Sequence, residues 1–353
     1  DTAERGIVLK GARSKCDRVP LIATFAPKTA DFVRRYQLPS QTVVNFDGEL
    51  HPKEPHRNAF NVGFAALDGS AVYSLLGETY QIQAPVAELG FRGHSLALNV
   101  RGRLFGEPLE VKGTVSLDRQ HRGFDIDLKS DRFVYEVLGK DLEFREFTAD
   151  ILGTETQTRT LLKSGLLEGD FAMDLTVEEK ENHPMFGEIR LGEVSFAEFA
   201  KTYAPSYETE GDLSGHFTFE REREDWAALS GNGVAIIVNG NLYAVPILGP
   251  LTPLLGSLLP SPIKGYNVAK EANCTFEVGD GKVVTEDLEA LTTTFRIVSG
   301  GTVDYIRDTV DFEAQARFRG LPGIVFRPFS ELLEYRATGS VGDPQWKPAL
   351  FNR

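Results

Sequence analysis

The sequence predicts a mainly β protein: one elongated, strongly curled antiparallel sheet, a β-groove or half-pipe, with a few short helices. Three observations predict it. Apolar side chains recur at every second position through most of the 353 residues, as strands with one dry and one wet face require. Turn signals such as Gly279-Asp280-Gly281 and Ser299-Gly300-Gly301 separate these stretches at the spacing of an antiparallel meander. The 34 glycines and 24 phenylalanines, against 2 tryptophans and 2 methionines, suit a long sheet with many turns. The alternating stretches number about fifteen, more than a flat open sheet normally holds, which is why curling about the apolar face is expected.

Taken in order, the elements begin with a short helix near 29–37, where Phe32 and Tyr36 share one helical face. Strands then carry Phe60, Val62 and Phe64; Leu96, Leu98, Val100 and Leu104; Val111, Val115 and Leu117; and Phe124, Ile126 and Leu128. A further strand carries Phe171, Met173, Leu175 and Val177. A second helix, near 196–204, places Phe199 and Tyr203 as the first places Phe32 and Tyr36. Phe217 and Phe219 follow, then Val234, Ile236 and Val238, with Asn239-Gly240 as a turn signal. Cys274 and Phe276, Phe295 and Ile297, and Phe312 to Phe318 complete the alternation, with a weaker helix copy near 328–335.

Both clear helix copies lead into a Gly-acid-Leu step, Gly48-Glu49-Leu50 and Gly211-Asp212-Leu213, and the third leads to Gly339-Ser340-Val341. A helix plus a set of strands, repeated, implies modular growth of one sheet. The expected organisation is a segment 1–195 and a segment 196–353, with the sheet continuous between them.

From Trp226 to Ile263 no residue carries a charge, in a chain whose charged fraction is 25%. That run passes the length test for a spanning helix. Pro246, Pro250, Pro253, Pro260 and Pro262 break it too often for one. Within it Thr252-Pro253 reads as an N-cap with proline in the first turn. Leu251, Leu254, Leu255, Leu258 and Leu259 then line one face of a short helix near 252–259. This helix is expected to be a lid on the protein's own core or a membrane-facing end.

The formal charge of −13, from 38 basic and 51 acidic residues, argues against nucleic acid and against electrostatic adhesion to anionic membranes. Cys16 and Cys274 leave open whether they are bonded; Cys274 alternates with Phe276 and reads as a small apolar side chain. No catalytic, cofactor or metal pattern stands out. Asp125 and Asp127 alternate with Phe124 and Ile126 and belong to the wet face, and His51 and His56 match no strong metal spacing. The remaining histidines are isolated in sequence. A chain beginning Asp1-Thr2-Ala3 reads as a piece of a longer protein whose anchor lies elsewhere.

The C-terminal third carries an ordered series: NGNLYAVPILGPLTPLLGSLL, FEVGDGKVVTEDLEA, FRIVSGGTVDYIRDTVDFEAQARF and YRATGSVGDPQWKP. From about Gly231 to Pro348 it resembles the AsmA-like C-terminal region of Gram-negative bacteria. The N-terminal two thirds match only in style. The resemblance implies a repeating-β-groove protein of the envelope, periplasmic and anchored to the inner membrane in full length. It also implies phospholipid or another acyl lipid as cargo between the two membranes, and no catalytic residue. The anchor, or the leucine-rich helix, would meet the membrane. The alternative expectation is an envelope scaffold with a closed core, holding a protein partner through sheet edges or that helix.

Overall fold

The computed structural model describes residues 6–15, 42–51, 54–66, 69–75, 78–118, 120–137, 140–203, 210–223, 225–241, 248–257, 268–319 and 333–349. They form twenty strands in one antiparallel sheet. The sheet is not closed: among the described residues its first strand pairs with the second, and its last with the one before it. The chain divides into two compact units, Asp1–Ser164 and Gly165–Arg353, upstream of the boundary expected at residue 195.

The first unit holds β1 (Ile7–Ser14), β2 (Val43–Leu50), β3 (Ala59–Ala65), β4 (Ser70–Leu75), β5 (Glu78–Arg92), β6 (Ser95–Leu104), β7 (Glu107–Ser116), β8 (Gly123–Val137) and β9 (Lys140–Thr154). The division between units falls inside β10 (Gln157–Leu166). Strands β3 and β4 both pair with β5, one along each half of it. Residues directly opposite in an antiparallel pair share a face, so the registers assemble rows that cross the strands. Phe60, Phe91, Leu96, Val115 and Phe124 make one row. Val62, Leu89, Leu98, Gly113, Ile126 and Ile151 make the next, and Phe64, Ala87, Val100, Val111, Leu128 and Ala149 a third.

Further along the same strands the face closes. Leu109, Phe133 and Phe147 are buried there, with the rings of Phe133 and Phe147 4.6 Å apart and Tyr80 5.2 Å from Phe133. The other side of the sheet is wet, with Asp125, Asp127 and Lys112 exposed. There Glu143 accepts from Arg132 at 2.9 Å and from Arg145 at 3.0 Å, and these contacts, Arg145 foremost, hold its carboxyl below the usual range against burial.

The second unit holds β11 (Gly169–Glu178), β12 (Met185–Ser195), β13 (Asp212–Arg221), β14 (Leu229–Asn241), β15 (Val268–Gly279), β16 (Lys282–Thr292), β17 (Phe295–Asp304), β18 (Thr309–Phe318), β19 (Glu334–Ser340) and β20 (Asp343–Pro348). Helix α1 (Phe196–Tyr203) follows β12, and a 3-10 turn, Gly249–Leu251, runs into α2 (Thr252–Ser257). Ser195 caps α1, its hydroxyl accepting from the Glu198 amide at 3.4 Å, and Phe196 turns into the core. The expected first helix lies outside the described residues. So does most of the expected helix near 328–335, whose last two positions, Glu334 and Tyr335, are strand.

Strands β15 to β20 carry the closed core. Ile297, Ala316 and Ala337 are each 0% exposed, beneath Leu248, Leu251 and Leu255, also 0% exposed. The spacing 248, 251, 255 puts three leucines on one side of the 3-10 turn and α2. Each such burial contributes about 1.5–3 kcal/mol. The helical segment begins at Gly249, one turn before the expected cap at Thr252.

Three glycines of the repeated steps share one backbone state: φ is 128° at Gly48, 126° at Gly211 and 119° at Gly339. Only glycine adopts that region freely. The short repeats read from sequence thus mark equivalent backbone features, at Gly48 in β2, ahead of β13 and at Gly339 in β19.

The face of β14 corrects the sequence reading. Val234 and Ile236 are each 41% exposed on the wet side, opposite His216 and Ser214, while Gly231, Gly233, Ala235 and Ile237 face the apolar side. The reason is room for rings. A Cβ added at Gly233 would lie 2.4 Å from the Phe276 ring, and one at Gly231 would lie 2.9 Å from the Phe217 ring. Asn239-Gly240 is not a hairpin either, since β14 continues pairing through Gly240 with Ala269. Asn239 takes a φ of 55° as an irregularity inside the strand.

Candidate functional site

The candidate site is the apolar face of each unit where, among the described residues, no second layer seals it. In the first unit Phe60, Val62, Phe64, Leu96, Leu98, Val100, Val115, Phe124, Ile126 and Leu128 come together as the rows described, all half-buried. Crossing β3 to β9, the rows span about 24 Å, and their depth along the strands is about 13 Å. This apolar floor has a footprint on the order of 300 Å², in the range of the largest apolar patch on a typical monomer, which is often functional. Its rings are ordered: Phe46 stacks on Phe60 at 4.9 Å and Phe60 on Phe91 at 4.4 Å. Where Phe124 meets β9 the partner is Gly153, over which the ring lies.

The second unit repeats the arrangement on β11 to β15. Met173, Ile189, Phe217, Gly233 and Phe276 form one row, flanked by Phe171 and Leu191 on one side and Leu175 and Phe219 on the other. Phe217 stands 5.6 Å from both Phe219 and Phe276. Phe171, Leu175, Phe217 and Phe276 are half-buried, and Phe219 is buried.

Other expected lining positions fall elsewhere. Phe295, Ile297 and Phe312 lie on the apolar face but are sealed, at 0%, 0% and 2% exposure. They are core because the leucines of α2 and its preceding turn occupy the space above them; Phe318, at the margin, stays half-buried. Leu117 lies past the end of β7, in the connection to β8, 46% exposed. Val234 and Ile236 are on the wet side. Of the helix leucines, Leu251 and Leu255 are lid residues and not membrane-facing, Leu254 is half-buried, and Leu258 and Leu259 lie outside the described residues.

The polar chemistry is dispersed. Among the described residues no group of three or more His, Cys, Asp or Glu side chains converges as a metal site would. Cys274 is a free thiol beside the apolar core, pushed up by burial and by the nearby Asp287 carboxylate; Cys16 lies outside the described residues. Asp287 closes a bulge between β15 and β16. It accepts from the Thr275 amide and hydroxyl at 2.8 Å each and from the Thr285 hydroxyl at 3.3 Å. Burial raises its carboxyl, but these bonds outweigh that and leave it below the ordinary range.

Sequence reading missed one cluster. His51, His56, His94 and His121, four of the chain's six histidines, all sit at one rim of the first unit with Arg57, Arg92 and Arg122. They occupy the β2–β3, β5–β6 and β7–β8 connections, which lie on the same side because antiparallel hairpins alternate ends. Counting the hairpin ends would have found them.

No helix among the described residues is long and apolar enough to cross a membrane. Comparison with family models, with curated proteins and with solved structures found no match. The fold and site define an open antiparallel sheet with an apolar face part uncovered and part capped.

Proposed function

We propose that this chain is a non-enzymatic lipid-binding segment of a periplasmic envelope protein. It would carry phospholipid acyl chains on a curled apolar groove between the inner and outer membranes, with the full-length protein anchored in the inner membrane. The observation that carries the reading is the set of half-exposed apolar rows crossing successive strands. Taking a two-chain phospholipid from a bilayer exposes roughly thirty methylenes, on the order of 25 kcal/mol at about 0.8 each. Only shelter that continues from strand to strand offsets such a cost, and rows perpendicular to the strands offer it. The resemblance of residues 231–348 to the AsmA-like region points the same way.

The test is native mass spectrometry and lipid extraction of the purified protein, with fluorescent phospholipid uptake as the functional readout. Bound lipid is expected, and Val115→Asp should abolish uptake while leaving the fold intact. A lipid-free preparation that also refuses added phospholipid would remove the proposal.

A second reading, a scaffold that pairs with an extended segment of an envelope partner, is favoured by the β1 edge. Ile7 and Val8 there are 50% and 55% exposed, on a strand that among the described residues is paired on one side.

A further inference from the structure

We propose that Arg221, with the indole of Trp226, is the phosphate anchor for an anionic phospholipid on the second unit, whose acyl chains lie on the rows of Phe217 and Phe219. This rests on the lipid-binding reading and adds to it where one headgroup is held and by which side chain. The strand register puts Arg221 on the apolar side. Val177, Met185, Arg221 and Leu229 stand opposite one another across β11 to β14, one step beyond the row of Leu175 and Phe219. Along β13 the same side carries Leu213, Gly215, Phe217 and Phe219, and Arg221 ends it about 7 Å past Phe219. Met185 and Leu229 beside it are half-buried.

This arginine is held but not neutralised. Its guanidinium carbon lies 5.0 Å from the centroid of the Trp226 ring, a cation–π contact. Its Nε is buried without a hydrogen-bond partner, and among the described residues Arg221 makes no ion pair. Other cations of the unit are paired, Arg190 with Glu188, and Lys180 with Glu178 at 2.6 Å. The acidic residues close to it in sequence do not serve it. Glu220 is on the wet side, where the Ser230 hydroxyl meets its carboxylate at 3.5 Å. Asp225 accepts from the Ala227 amide at 2.9 Å, and Glu222 is exposed past the end of β13. Selection therefore comes from position, one unpaired guanidinium on an apolar face, and not from a surplus of basic residues.

Trp226 is 63% exposed, and its carbonyl accepts from the Tyr305 hydroxyl at 2.9 Å, which fastens the β13–β14 connection to the β17–β18 connection. A phosphate diester offers two charged oxygens to the guanidinium fork, with the indole N–H as a further donor. A buried donor with no acceptor is costly until an anion takes its place beside it.

Trp226 reports on this corner directly, because the other tryptophan, Trp346, is 8% exposed. Acrylamide quenching of the whole chain is followed while adding short-chain phosphatidylglycerol or diacylglycerol of identical acyl chains. Phosphatidylglycerol should shield Trp226 at about tenfold lower concentration, the scale of one charge-assisted hydrogen bond. Arg221→Gln should remove that difference. Arg221→Lys, which keeps the charge but loses the fork, should remove part of it and decides the matter if the glutamine variant does not fold. Arg223→Gln, at an exposed neighbour outside the strand, should keep the parent's preference. Equal shielding by both lipids in the parent overturns the anchor, as does a preference that survives Arg221→Gln or is undiminished in Arg221→Lys. Shielding by the free fatty acid at the phosphatidylglycerol concentration would mean a carboxylate site and also overturns it. Lipid bound in native mass spectrometry without shielding of Trp226 overturns the anchor and leaves the lipid-binding reading standing. Uptake of neither lipid removes that reading itself.

Discussion

Ile126 and Ile297 are the same residue in the same kind of strand, yet they have different work. Ile126 is half-buried in a row of the first unit, whereas Ile297 is 0% exposed beneath Leu251 and Leu255. A carboxylate at the first position keeps water, while at the second it is an uncompensated buried charge. Ile126→Asp should therefore lower the unfolding free energy by less than about 1.5 kcal/mol in denaturant titration, and Ile297→Asp should cost more than about 4 kcal/mol or prevent folding. Equal effects would mean the first-unit face is also a closed core.

Asp287 gives a pH signature at the same scale. Its carboxyl is depressed in the folded protein, so its contribution is present above the ordinary carboxylate range and lost as pH falls through the depressed value. The thermal midpoint of the parent should drop on acidification below about pH 4. Asp287→Ala should already be lowered at neutral pH and should drop less. A variant with the parent's full acid sensitivity would rule out this role.

At the scale of elements, the 3-10 turn and α2 decide where the apolar face is open. Their leucines join the buried cluster supplied by β15 to β20, the turn lying against β20, and Leu255 has no exposed surface. Leu255→Ala removes that wedge and leaves a cavity, at an expected loss of about 2–5 kcal/mol in equilibrium unfolding. It should also admit a hydrophobic dye to a region that excludes it in the parent. If stability falls by less than about 1 kcal/mol, the helix is a loose lid and not part of the core.

Glycines act on this scale too. Gly153, Gly231 and Gly233 leave space for rings from neighbouring strands, so apolar surface is supplied at positions with no side chain of their own. Alternation of large residues therefore located most strands but put β14 on the wrong face. The Gly48, Gly211 and Gly339 steps were legible because a positive φ demands glycine at each repeat.

For the whole molecule the proposed cargo has a thermodynamic consequence. A ligand that binds only the folded chain stabilises it by about 2.7 kcal/mol at a free concentration 100-fold over its Kd. Delipidated protein should therefore melt lower than protein reloaded with phospholipid, and calorimetry at two lipid concentrations should show the midpoint moving between them. An unchanged midpoint alongside demonstrated lipid contact would place that contact outside the folded face. The same uncovered face predicts that the stripped protein binds environment-sensitive dyes.

Alternating apolar residues, glycine turns and a proline-broken leucine run were enough by themselves to specify an antiparallel β protein with few helices. They specified it because strand periodicity and turn geometry are local properties. Which rows stay uncovered, which are sealed under Leu248, Leu251 and Leu255, and which distant histidines and arginines share a rim were decided by the tertiary structure. Those outcomes depend on strand register and on what packs above the sheet, and both join residues far apart in the chain.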